Sequence, residues 1–355
     1  MKAKNWNTLV IGMTVCLLLA LALATVVIDP FLHYHKPLSS LEYPLKDERY
    51  QNDGIARHYE YDSLITGTSM SQNFKCSEFD VLWEARSVKI AYSGASYHEL
   101  NNSIRRAISY RPETRYVVCS LDGNRLIYPA HEDEYEGYPD YLYDSNPFND
   151  VNYLLNKEVV PKTLAVINYT RAGESMPDRD AYGSWNQYKS FGAESVLASF
   201  TRQIEREEET VLSEEDIRMV RENVEENFLA TALANPDTEF YLFYPPYSVC
   251  YWEALVRTKQ INAQIEAQKI AVELLLTADN VHIYDFSDRI DITSELDNYT
   301  DTMHYGEWIN SEILRMMREG QQELTEDNFE AYYDKVRLLY ENYDYEAMYE
   351  SLKEG

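Results

Sequence analysis

The sequence predicts an α/β fold: three layers, with a central and mainly parallel sheet between helices, preceded by one transmembrane helix. Three observations carry this. Short apolar runs without polar alternation recur along the chain, as strands covered on both faces require. Stretches with helical spacing separate them, which suits the crossover connections of a parallel sheet. The chain also opens on an uncharged apolar run of about 20 residues, roughly the length that crosses a bilayer.

That run comes first. Lys2 and Lys4 precede an uncharged segment from Asn5 to Ile28, and the next charge is Asp29. Cations before the span and an acid after it favour a cytoplasmic amino terminus and an external body. This describes a single-pass membrane protein with an extracytoplasmic domain. Ala20-Leu21-Ala22 and Ala22-Leu23-Ala24 are small-x-small strings of the kind cut in removed signals. The apolar run continues past them through Thr25-Val26-Val27-Ile28, which favours an uncleaved anchor over residues 1–28. A buried soluble helix would need a polar face over this length, and there is none. Residues 29–61 follow as a juxtamembrane segment with Tyr34 at the interface.

The α/β domain is expected over residues 62–324. Its first strand is Asp62–Gly67, followed by a helix from Ser71 to Glu84 carrying Phe74, Phe79, Leu82 and Trp83. A second strand, Val88–Ser93, ends at Gly94, and a helix from His98 to Tyr110 comes next. The third strand is Arg115–Leu121. The region from Leu126 to Ser190, rich in Tyr, Asp, Asn and Pro, reads as a long insertion over the carboxyl edge of the sheet. Ser213 to Ala234 is helical, with Ser213 as cap and Asp216 at the third helical position. Glu239–Tyr244 is the fourth strand, stopped by Pro245-Pro246. A long helix from Ala254 to Ala278 leads to the fifth, Val281–Phe286, and Gly306 to Arg318 is a closing helix. Residues 325–355 read as acidic amphipathic helices with Phe329, Tyr333, Val336, Leu339 and Tyr340 on one side.

Composition narrows the function. Of 355 residues 45% are hydrophobic, which excludes wholesale disorder. Lys and Arg number 32 against 60 Asp and Glu, a net charge of −28, which excludes a nucleic-acid partner. Four Cys exclude a disulfide-dense scaffold. Cys119 and Cys250 lie in apolar runs and are expected in the core as small hydrophobes.

In an open α/β sheet the site lies outside the carboxyl ends of the strands. Four segments fall there: Gly67-Thr68-Ser69-Met70, Ser93-Gly94-Ala95-Ser96, Asp122-Gly123-Asn124 and, a little after the fifth strand, Asp301-Thr302-Met303-His304. Ser69 sits at a strand-to-helix turn, where a helix amino terminus would favour its hydroxyl. A serine needs a base, and His304 supplies one. Asp301, three residues earlier, would hold the imidazole tautomer. The amides of Ser69 and Gly94, with the Asn124 side chain, would bind an oxyanion. Ser69 as a helix cap, and Gly94 and Asn124 as plain turn residues, are the structural alternatives. No Gly-x-Ser-x-Gly elbow surrounds Ser69, so the α/β-hydrolase pattern does not apply.

These segments resemble the four motif blocks of the SGNH (GDSL-like) hydrolase superfamily over roughly residues 62–320. The resemblance implies a nucleophilic Ser69, oxyanion donors at Ser69, Gly94 and Asn124, and a catalytic Asp301-x-x-His304 pair. The membrane-anchored branch, with proteins of D-alanyl-lipoteichoic-acid synthesis and alginate O-acetylation, looks closest. The sequence departs from the common pattern at Thr68, where Asp is usual, at Met70, where Leu is usual, and at Arg125, where Asn124 would be followed by Asp.

The expected function is therefore an extracytoplasmic serine esterase or O-acyltransferase. It would act on acyl groups of a cell-envelope or exported polysaccharide through an acyl-serine, with no cofactor and no metal. Transfer would imply a multi-span membrane acyltransferase as partner, because one span cannot carry an activated acyl group across. The alternative is a catalytically inactive surface assembly or polysaccharide-binding protein of the same fold. His33-Tyr34-His35 lacks nearby acids for a metal site, and His58, His98, His131 and His282 show no ligand spacing. Tyr128 to Tyr143 reads as a solvated loop, with a sugar-binding groove as its sharper alternative.

Overall fold

The computed structural model describes residues 3–132, 135, 138–144 and 146–354. Lys2, one of the two cations from which the topology is expected, lies outside the described residues, as do 133, 134, 136 and 137 of the Tyr-rich stretch. The chain divides into two compact units: Met1–Glu60 with Glu136–Asp178, and Tyr61–Tyr135 with Arg179–Gly355. A single α/β domain carrying the whole 126–190 insertion is thus not what forms. The middle of the insertion joins the amino-terminal segment instead.

The reason is apolar pairing across a large sequence gap. In the first unit Phe31, just beyond the span, packs with Leu142, Tyr153 and Val159 of the insertion. Asp29 is fully buried there, and its carboxylate accepts the backbone N–H groups of His33, Tyr34 and His35 and the Tyr153 hydroxyl. The unit holds the Ala3–Ile28 helix, in which Asn5–Ile28 has a mean hydropathy of 2.7 and is 6% buried, long and apolar enough to cross a membrane. It also holds two helices the apolar pattern does not reveal, Glu48–His58 and Val159–Ala172. The first buries Arg49, Gln51, Asn52 and Asp53, so its inner face is polar.

The second unit is mixed α/β. Its strands are β1 (Ser63–Thr66), β2 (Ser87–Lys89), β3 (Tyr116–Ser120), β4 (Glu239–Tyr244), β5 (Val281–Asp285) and β6 (Glu323–Leu324). They form one sheet in the order β2-β1-β3-β4-β5-β6. The first five run parallel, with Leu64 opposite Val88 and Val117, and Phe240 opposite Val281. β6, too short to show in the sequence, pairs antiparallel with β5 at the edge. Every residue of β1 is buried, as its unalternating sequence requires.

Most expected helices form, with instructive shifts. Residues after Ser71 do not enter a helix until Cys76–Trp83. The ammonium of Lys89, buried on β2, captures the carbonyls of Gln72 and Phe74 at 2.6 and 2.8 Å, so they join no helical ladder. The Ala254–Ala278 helix is two, Val249–Arg257 and Ile261–Leu275, parted at Lys259 with φ +55. Ser213 and Asp216 form the expected capping box on Glu214–Val224. The tail forms Phe329–Glu341 and Tyr345–Glu354. Cys76, Cys119 and Cys250 are free and buried.

Candidate active site

Strand order changes direction between β1 and β3, and the crevice beyond their carboxyl ends is where ligands bind in sheets of this kind. Gly67 ends β1 at φ +125, and a side chain there would collide with the hydroxyls of Ser71 and Ser120. Only glycine lets the chain turn this tightly under its neighbour. The next turn presents Ser69, half-buried. Because the first helix after it starts only at Cys76, no helix amino terminus acts on Ser69, and that part of the sequence expectation is corrected.

Side chains from three other segments, and a backbone N–H from a fourth, hold the turn. The Thr68 N–H donates to Ser120 Oγ at 3.1 Å, and its hydroxyl to Asp122 Oδ2 at 2.5 Å. Trp185 Nε1 donates to the Ser69 carbonyl at 3.0 Å, and Asn310 Nδ2 to the Met70 carbonyl at 2.9 Å. The Tyr92 N–H reaches the Gly67 carbonyl at 2.8 Å, which brings the Gly94 loop beside the same turn.

His304 lies 235 residues away in sequence, and its Nε2 is 2.8 Å from Ser69 Oγ. Its Nδ1 faces Asp301, at 2.8 Å from Oδ2 and 3.0 Å from Oδ1. The ring nitrogen facing a carboxylate carries the proton, which leaves Nε2 with a lone pair toward Ser69. Asp301 Oδ1 also accepts the N–H groups of Met303 and His304 at 2.9 Å each. Burial works to raise the Asp301 carboxyl, but the His304 ring and these N–H groups outweigh it and hold it below the ordinary range. The loop is tied at its ends: Thr300 N–H donates to the His304 carbonyl, and Ser248 donates to the Thr302 carbonyl through both N–H and hydroxyl.

The three expected oxyanion donors are differently placed. The amides of Ser69 and Gly94 donate to no protein acceptor among the described residues. Gly94 is exposed, with φ +64. Asn124 lies in a short 3-10 turn, Gly123–Arg125, with its side chain exposed and without a hydrogen bond among the described residues. Arg125, the departure after Asn124, brings its guanidinium to about 4.0 Å from where a Gly94 side chain would start.

Two participants have roles that sequence reasoning does not supply. Trp185 comes from the insertion, and its ring stands at 87° to the His304 ring with centroids 5.5 Å apart. Asp122, buried, accepts the hydroxyls of Thr68 and Tyr247, and Tyr97 donates to its backbone carbonyl. Burial raises its carboxyl, against the lowering effect of Thr68, Tyr247, Arg125 and His304. A carboxylate next to the Ser69 turn was visible in the sequence; its Thr68 partner was not.

Among the described residues no group of three or more His, Cys, Asp and Glu is placed to hold a metal. His35 is bonded to the carbonyls of Lys36 and Val26, and His282 sits between Glu239 and Glu323. A nucleophile bonded to a base, a base bonded to a carboxylate and two spare N–H groups make up what acyl transfer to serine requires.

No protein-family model matches the chain, and no curated protein matches it either. It is similar to a solved structure described as "a putative platelet activating factor from Streptococcus pneumonia", at 12% identity and a TM-score of 0.40, over 77% of this chain and 89% of that one.

Proposed function

We propose that this chain is a membrane-anchored, extracytoplasmic serine esterase or O-acyltransferase of SGNH type, with its sheet as the middle of three layers, acting on acyl groups of a cell-envelope or exported polysaccharide. One observation carries the reading: Ser69 Oγ lies 2.8 Å from His304 Nε2, and His304 Nδ1 lies 2.8 Å from Asp301 Oδ2. Ser69 comes from 235 residues away, and packing alone gives no reason for its hydroxyl to meet the free nitrogen of a carboxylate-bound imidazole.

In the reaction Ser69 Oγ attacks the acyl carbonyl carbon as its proton passes to His304 Nε2. The amides of Ser69 and Gly94 and the Asn124 side chain receive the oxyanion. The tetrahedral adduct collapses, the leaving oxygen takes the proton from His304, and an acyl ester remains on Ser69. Water, or a sugar hydroxyl, then attacks that ester as its own proton moves to His304. The Ser69 C–O bond breaks and the proton returns to Ser69. Transfer would call for a multi-span membrane acyltransferase as donor partner.

Retention of the span is supported at its far end. Thr25 is buried, Ile28 accepts the Tyr43 hydroxyl through its carbonyl at 2.7 Å, and His35 contacts the Val26 carbonyl. A cut at the small-x-small strings would leave these residues as a frayed terminus.

The test is chemical. Ser69 should react with a fluorophosphonate, whose phosphoryl oxygen takes the oxyanion position. Ser69→Ala should abolish labelling. His304→Ala and Asp301→Asn should slow it by about 10³-fold or more, since either change removes the base or its tautomer. A folded wild-type protein that stays unlabelled and neither hydrolyses nor transfers small acyl esters would instead support the inactive scaffold.

A further inference from the structure

Two further rings extend from Trp185 beside the triad. Trp185 and Phe191 lie nearly parallel, with centroids 6.4 Å apart and 24° between planes. Phe191 meets Trp308 at 4.9 Å and 64°. With His304 these rings form a continuous row that starts at the catalytic base and runs outward. Trp185 and Phe191 are half-buried and Trp308 is 43% exposed.

The row is held by hydrogen bonds, not by an enclosing core. Asn73 Oδ1 accepts the Trp185 N–H and the Ser184 hydroxyl. Asn186 Oδ1 accepts the Glu307 N–H at 2.9 Å, and Asn298 Oδ1 accepts Trp308 Nε1 at 2.9 Å. The Gly192 N–H reaches the Tyr299 carbonyl, and the Trp308 ring lies against Gly306, where any side chain would collide with it. Four chain segments thus fix aromatic surface in contact with water, a costly arrangement that a ligand would offset.

We propose that the Trp185–Phe191–Trp308 row is a stacking site for the sugar rings of an uncharged glycan, leading a hydroxyl or its ester to Ser69 and His304. This deepens the acyl-serine reading and rests on it. A pyranose has an apolar C–H face and a rim of hydroxyls, and it needs aromatic faces with polar groups at their edges. Asn186, Asn298 and Asp297 supply that edge; Asp297 lies 3.3 Å from where a Gly192 side chain would start. An acyl chain would gain most from an enclosed apolar lining, which half-open rings do not give. Charge narrows the class. Glu194, Asp297, Asp301 and Glu307 belong to these segments against Lys75 and Lys189, and Lys75 is already paired with Glu307. On a chain of net charge −28 a polyanionic glycan is repelled.

Full-length Ser69→Ala protein in detergent micelles should be titrated with cellohexaose, N-acetylchitohexaose and an oligogalacturonate, following tryptophan emission and saturation-transfer NMR. At least one neutral oligosaccharide should bind, and the oligogalacturonate should bind about tenfold more weakly or not at all. Trp308→Ala and Phe191→Ala should each weaken binding about tenfold, the size of one lost stacking contact. Trp308→Tyr and Phe191→Tyr should restore most of it, which a merely structural role would not require. Binding by none of the neutral sugars, tighter binding of the oligogalacturonate, or unchanged affinity in both folded alanine variants would overturn the proposal. Fluorophosphonate labelling of wild-type Ser69 uses no glycan, so it separates the two failures. A labelled Ser69 without glycan binding removes only the stacking site, and glycan binding with an inert Ser69 removes only the acyl-serine reading.

Discussion

At the residue scale the Ser69 turn is tied to a buried carboxylate: the Thr68 hydroxyl donates to Asp122, which follows the neighbouring strand β3. Asp122→Asn leaves one carbonyl oxygen for the two hydroxyls of Thr68 and Tyr247. It should cost about 1.5–3 kcal/mol of stability, the worth of a hydrogen bond to a charged group, and slow Ser69 labelling. Denaturant titration and labelling rates on one preparation check both parts. Asn124 has an exposed side chain without a partner among the described residues, free to meet a ligand oxygen. As an oxyanion donor, its change to Ala should slow labelling about 10²–10³-fold without altering stability. A rate within twofold of wild type would make it a turn residue only.

At the element scale the carboxyl-terminal Phe329–Glu341 helix is part of the fold that carries β5. Tyr332 donates to the Asp285 carbonyl and carboxylate, and Tyr340 donates to the Ser287 carbonyl and stacks on Trp252 at 4.5 Å. Tyr340→Ala should destabilise by about 3–5 kcal/mol, as other buried aromatic truncations do, measured by urea unfolding. Asp285 is fully buried, and burial raises its carboxyl to about 6, against the hydrogen bonds of Ser287 and Tyr332. With about 3.9 in the unfolded chain, the folded state holds the extra proton between about pH 4 and 6, so stability falls as pH rises through that window. The loss is on the order of 3 kcal/mol. Asp285→Asn should remove it, so the variant's stability relative to wild type should improve from pH 4 to 6 and then level off. Parallel curves across that window would contradict the assignment.

At the scale of the whole molecule the proposed anchor makes two predictions, an external body and an uncut amino terminus. Protease added to cells with an accessible surface should digest the body, and full protection there would reverse the topology. Protein purified from membranes should begin upstream of Ala20 by amino-terminal sequencing. A start between Leu21 and Val26 would mean a removed signal. It would leave the contacts that Asp29 and Tyr43 make with the Thr25 and Ile28 carbonyls broken or at a frayed end.

The strands were legible in the chain alone, because a strand covered on both faces writes its burial into consecutive residues. Leu64–Ile65, Val117–Cys119 and Leu242–Tyr244 can be read that way. Spacing along the chain also put Ser69, Gly94 and Asn124 just past strands and Asp301-x-x-His304 downstream of the fifth. Which of those ends meet was settled by folding. The 2.8 Å contact of Ser69 with His304 spans 235 residues, and strand order, not periodicity, brings the two together. Folding also split the insertion, binding 136–178 to the amino-terminal segment and leaving Trp185 beside His304. Local sequence records burial and spacing, and the partner of a buried ring or a captured carbonyl is a long-range property that only the tertiary structure specifies.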